Sequence, residues 1–326
     1  MRVSDPNPTP LIGLLVLVAL ALGGCSSVAA NASTPTPTPT AARLQAVTNN
    51  GVRVIPDIEY GHAAGQKLLL DACLPPSPTS STSDKPDPAP RASIVMIHGG
   101  SWTRGDKADP EYRDVCEWLA KAGYPTFAVD YRMDPQFVFP AALDDVRSAV
   151  NWLRDPIQLG RFNLDPARIA AFGGSAGGNL ASLLGTTGTG PLTEGSRVSA
   201  VVDLSGPSDL TGPDAKPWFI AVQLAFVGCA AEADCPAAHA ASPIFAASAD
   251  DPPFFIANST DELIPIAQSE RLDAALRAAG VRTTFVRVKG GLHSVAMLGP
   301  RLRSRILAFY ASTLGANSAR PTPGAG

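Results

Sequence analysis

The chain has 326 residues, 45% of them hydrophobic, and a formal net charge of −3. That apolar content excludes a disordered chain, and so balanced a charge excludes a nucleic-acid partner, which needs a clustered basic face. Length alone leaves one or two domains open.

Residues 1–24 read as a targeting segment. Their apolar run at 11–22 is too short to span a bilayer as a helix, which takes roughly 20 residues. It ends in Leu22-Gly23-Gly24-Cys25, which resembles a bacterial lipobox. The resemblance implies cleavage before Cys25, a diacylglycerol on its sulfur and attachment to the outer face of the cell membrane; a secreted soluble protein is the alternative. Residues 25–50 hold the run Thr34-Pro35-Thr36-Pro37-Thr38-Pro39. Proline blocks both helix and sheet, so a semi-rigid tether is expected there. One folded domain is expected over 51–316, and a frayed tail over 317–326.

Export gives the remaining cysteines an oxidising compartment. Cys229 and Cys235 lie close together in a Gly/Ala/Asp-rich loop and are expected to pair, a closure worth about 2 kcal/mol. Cys73 with Cys116 then follows by elimination, two buried free thiols being the alternative. No Cys/His spacing suits a zinc site, so no metal is expected.

Within the folded part, strand and helix patterns alternate. Strands are expected at 52–60 and 67–74 as an antiparallel edge pair. A Pro/Ser/Thr-rich hairpin loop at 75–90 follows, then a wholly apolar strand at 93–97. An amphipathic helix at 111–122 stops at Gly123. Next come a strand at 124–130, a helix at 141–153, a strand at 168–172 and a helix at 175–184. Further strands are expected at 198–204, 254–257 and 283–288, and helices at 266–279 and 295–310. Such alternation predicts an α/β fold, a mostly parallel sheet with helices on both faces. The stretch at about 205–251 is left over as a short cap insertion of one or two helices.

The chemistry is carried by Phe172-Gly173-Gly174-Ser175-Ala176-Gly177-Gly178, a G-x-S-x-G turn between an apolar strand and an apolar helix. A sharp turn there lifts the Ser175 hydroxyl clear of the sheet. His98-Gly99-Gly100-Ser101-Trp102 follows the 93–97 strand and is the expected oxyanion loop, with the backbone amides of Gly100, Ser101 and Ala176 as donors. His98 is expected to brace that loop rather than act as a base. Of the four histidines, His62 lies at the N-terminal edge and His239 beside the Cys229–Cys235 loop. His293, after the last strand in a glycine-containing loop, is the expected base. The chain order nucleophile, acid, histidine then calls for an acid between Ser175 and His293. Asp261, after the 254–257 strand, is the expected acid and Glu262 its rival. Asp250 and Asp251 precede that strand and fall at the wrong edge.

These motifs identify a resemblance to the α/β-hydrolase superfamily, in the branch of hormone-sensitive-lipase-like and bacterial feruloyl- and acetyl-esterase-like enzymes. It is carried by His98 through Lys107, Asp130-Tyr131-Arg132, Phe139 through Val146, Asp165 through Ile169, the serine turn, Asp261 and His293. The resemblance implies an α/β-hydrolase fold and Ser175, Asp261 and His293 as a triad needing no cofactor. Gly174 and Ser101 depart from the lipase-like pattern and move the match toward esterase- and formamidase-like enzymes. The expected activity is hydrolysis of a small-molecule carboxylic ester through an acyl-enzyme. The alternatives are an amide hydrolase with the same triad and a catalytically silent binding module on the cell envelope. Trp102, Trp218 and Phe219 are candidate pocket residues, Trp102 narrowing the acyl side toward short acyl groups.

Overall fold

The computed structural model describes residues 47–49, 51–76, 89–212, 214–315 and 317. The segment expected to target the chain, Cys25 and the Thr-Pro run lie outside them. In chain order the elements are β1 (Val47–Asn49), β2 (Val52–Ala63), β3 (Gln66–Leu74), β4 (Arg91–Ile97), α1 (Pro110–Lys121), β5 (Thr126–Val129), α2 (Ala141–Leu153) and α3 (Pro156–Phe162). Then follow β6 (Leu164–Gly174), α4 (Ala176–Thr186), β7 (Val201–Leu204), α5 (Pro217–Val227), α6 (Pro236–Ala240), β8 (Phe254–Ser259), α7 (Ile266–Ala278), β9 (Thr283–Val288) and α8 (Pro300–Leu314). Single 3-10 turns stand at Pro243–Phe245 and Ser294–Met297.

The strands form one sheet in the order β1-β2-β3-β5-β4-β6-β7-β8-β9. From β5 to β9 every pairing is parallel, whereas β1, β2 and β3 join antiparallel. Because side chains alternate across a strand, each strand feeds two cores. Val95 and Ile97 face a layer with α2, α4 and α7, while Ile94 and Met96 face one with α1 and α8. In β2 the register slips between Ile55 and Ile58, where Pro56 has no N–H to give the ladder.

Four expectations change. Val47–Asn49 pairs with β2, so the tether expected over 25–50 gives way to a strand before residue 50. β5 lies between β3 and β4, so 75–90 joins two non-adjacent strands and is not a hairpin. The helix expected at 295–310 is a 3-10 turn and then α8, because proline lacks an N–H and disfavours helical backbone in the residue before it; Gly299-Pro300 therefore restarts the helix. Asn317, expected in a frayed tail, is tied down: its side chain accepts from the Ala92 amide at 2.8 Å and donates to the Ala92 carbonyl at 2.7 Å.

Both expected disulfides are present. Cys73–Cys116 ties β3 to α1, and Cys229–Cys235 closes the loop between α5 and α6. Arg132 forks onto Asp145 of α2, with Nη2 to Oδ1 at 2.8 Å, and Asp130 accepts from the Lys107 amide at 2.7 Å. The Asp130-Tyr131-Arg132 segment thus joins the end of β5 to α2 and to the loop after β4.

Candidate active site

The turn from β6 to α4 is sharp because its glycines allow no side chain. A Cβ on Gly177 would run into the carbonyl oxygens of Ile97 and His98. Ser175 sits between them at φ 56° and ψ −124°, a left-handed conformation rare for a residue with a side chain and found where the surroundings hold it. Its amide donates to Leu204 at 2.9 Å, and its carbonyl accepts from Asn179 at 3.0 Å. Ala176 is the first residue of α4, so its N–H has no partner within the helix.

The loop after β4 is held from several sides. His98 Nδ1 bonds the Gly99 carbonyl at 2.7 Å, and the His98 ring stacks on Tyr131 at 4.4 Å. Burial pushes this imidazole below the ordinary histidine range, so it braces the loop in its neutral form. Gly100, Ser101 and Trp102 all have positive φ. Further on, Lys107 Nζ meets Asp57 at 3.0 Å and Asp130 at 3.3 Å. Burial alone would lower this ammonium's pKa. The Asp57 hydrogen bond and the charges of Asp130 and Asp71 outweigh it and hold the pKa above the ordinary lysine value. A loop fixed this way suits preorganised amide donors.

At the far end, Thr260 and Asp261 donate their amides to Val288 at 2.9 Å and Gly290 at 3.0 Å. That pairing turns the Asp261 side chain to solvent, where its carboxylate accepts from Thr260 Oγ1 at 3.0 Å. The next side chain turns inward. Glu262 Oε2 is bonded to His293 Nδ1 and accepts from the Ile264 amide at 3.2 Å. The Glu262 side chain is wholly buried. Asp261, the expected acid, is therefore corrected to Glu262.

Ser175, His293, Gly100 and Ser101 line one cavity of about 290 Å³, together with Arg104, Tyr112, Leu263 and Ser294 among others. The aromatic pocket candidates are not among its walls. Trp102 is fully buried and stacks on Phe226 at 4.2 Å, Phe219 is buried beside it, and Trp218 stands more than half exposed. The expected role of Trp102 in narrowing the acyl side is thus corrected: with Phe219 it packs the cap onto the body. His62 pairs with Glu59 at 2.8 Å, and His239 stacks on Phe245 at 4.0 Å. Tyr112 and Ser294 were not singled out by sequence. Tyr112 lies on the apolar face of α1 and reads as core, whereas Ser294 directly follows the expected base.

Strand order, the strained serine between β6 and α4, and an acid-backed histidine after β9 define the α/β-hydrolase fold. The BD-FAE family model matches residues 83–276, more than half of the chain, and the chain belongs to that family. It is 30% identical over 264 residues to Esterase LipQ of Mycobacterium tuberculosis, a match covering 77% of this chain and 59% of that protein. The chain thus spans about three fifths of that relative's length. Among the solved structures that share the fold are two esterases. A truncated carbohydrate esterase from gut microbiota has a TM-score of 0.65 at 22% identity, covering 82% of this chain and 99% of that one. The thermophilic esterase Est2 of Thermogutta terrifontis has a TM-score of 0.64 at 23% identity, covering 84% and 96%.

Proposed function

We propose that this chain hydrolyses carboxylic esters through an acyl-enzyme on Ser175. His293 takes the serine proton and returns it to the leaving alcohol. Glu262 holds Nδ1, fixing the imidazole's tautomer and stabilising its cationic form. The amides of Gly100, Ser101 and Ala176 receive the oxyanion, and water then frees the acid. The observation that carries this reading is the opening of Ser175, the Glu262-backed His293 and the Gly100–Ser101 turn onto one cavity. Esterase relatives support it. The cavity's size, at or just below the small end of the roughly 300–1,000 Å³ usual for drug-sized sites, supports short acyl groups. The test is hydrolysis of p-nitrophenyl acetate. The wild type is expected to turn it over and Ser175→Ala to lose on the order of 10⁴-fold or more. Equal rates in the two proteins would sink the reading.

We further propose that the protein is exported and anchored by a lipid on Cys25. The Leu22-Gly23-Gly24-Cys25 sequence and two disulfides support this. Cys25→Ser is expected to leave the precursor uncleaved and without lipid, as judged by fatty-acid labelling of expressing bacteria. Unchanged processing and labelling would count against the lipid.

A further inference from the structure

Two hydroxyls on the cavity wall take no part in the steps above. Tyr112 Oη and Ser294 Oγ lie 3.3 Å apart, and Tyr112 Oη lies 3.3 Å from the Gly174 carbonyl oxygen. Both separations exceed the roughly 2.7–2.8 Å of a well-made O–H···O bond, so the phenol's proton is only weakly committed. Burial pushes this phenol up to about 12, which keeps it a donor across the working range.

Glycines let both hydroxyls pack close to the nucleophile. A Cβ on Gly99 would lie 2.6 Å from the Tyr112 hydroxyl, 2.8 Å from the Gly174 carbonyl oxygen and 3.2 Å from Ser175 Cβ, so only a glycine fits between the Tyr112 hydroxyl and the Ser175 side chain. A Cβ on Gly174 would overlap the Ser294 hydroxyl, which fills the volume a side chain just before the nucleophile would take. The pair is also held rigidly. Ser294 has φ 57°, a left-handed backbone persisting under its surroundings. One turn beyond Tyr112, Cys116 is bonded to Cys73.

We propose that the Tyr112 and Ser294 hydroxyls form a specificity subsite for an oxygen on the α-carbon of the acyl group, so that esters of short 2-alkoxy or 2-hydroxy acids are preferred. This deepens the esterase reading and rests on it. The acyl carbon becomes bonded to Ser175 Oγ, so its α-carbon stays near the serine in both half-reactions, whereas the alcohol leaves with a proton from His293. An oxygen on that carbon accepts the phenol's proton; a methylene there leaves it unused.

The test compares p-nitrophenyl methoxyacetate with p-nitrophenyl butyrate, which differ by an ether oxygen in place of a methylene. Each kcat/KM is divided by that ester's rate of base hydrolysis. A net neutral hydrogen bond corresponds to about five- to tenfold, so Tyr112→Phe should lower the methoxyacetate-to-butyrate ratio by that factor. Ser294→Ala should lower it in the same direction. A purely structural role would slow both esters alike. A ratio unchanged in the variants while butyrate is still hydrolysed overturns the subsite alone. If one variant fails to fold, the other decides. Hydrolysis of neither ester by the wild type overturns the esterase reading and the subsite with it.

Discussion

Asp261 and Glu262 are neighbours in sequence, yet one faces water and the other the base. Spacing from the strand placed the acid within two residues, but the choice between them lies in the backbone pairing of Thr260 and Asp261 with Val288 and Gly290. No local pattern announces that pairing. Asp203 was equally hidden, a carboxylate within the apolar Val201–Leu204 strand. It accepts from Ser182 Oγ at 2.8 Å and the Gly206 amide at 2.7 Å. Burial, against these two donors and with repulsion from Glu262, pushes it up to about 6. The unfolded carboxyl titrates near pH 3.9. The folded pKa is the higher one, so this contribution to stability is full below pH about 4 and lost as pH rises through about 6. Asp203→Asn removes the dependence. Its stability should fall less than the wild type's between pH 4 and pH 7, by on the order of 3 kcal/mol, in denaturant titrations across that range. Parallel curves for the two proteins would contradict the assignment.

At the scale of elements, helices with strong patterns were legible and short ones were not. α2 runs over the expected 141–153, because its apolar spacing buries one face in the core. α3 was missed. Its seven residues show no clear period, although Asp155 caps it from the Ile157 amide at 2.8 Å and Pro156 opens it. α1 shows how an element serves the site. Tyr112 and Cys116, one turn apart, tie it to the cavity and to β3. The Cys73–Cys116 bond joins residues 43 apart in sequence, worth about 4 kcal/mol in the chain-entropy model. Replacing both cysteines by alanine should cost up to that amount in chemical denaturation under oxidising conditions. A variant as stable as the wild type would show that packing alone holds α1.

For the whole molecule, the alternation of apolar strands with helical patterns was enough to predict a mostly parallel sheet with two covered faces. Strand order was less legible. Nothing local reveals that β5 comes between β3 and β4, since that order depends on which edges meet after the chain has crossed over. The cap was located by subtraction; its Phe219 and Phe226 pack inward while Trp218 stays exposed, and none of the three lines the cavity. The fold brings four distant loops, after β4, β6, β8 and β9, to one edge of the sheet. In the proposed mechanism Ser175 works through His293 held by Glu262. The most direct measurement is kcat/KM for p-nitrophenyl acetate in Glu262→Gln and Asp261→Asn beside the wild type. A loss on the order of 10⁴-fold is expected in Glu262→Gln and near-wild-type activity in Asp261→Asn. Loss in Asp261→Asn with activity retained in Glu262→Gln would contradict it.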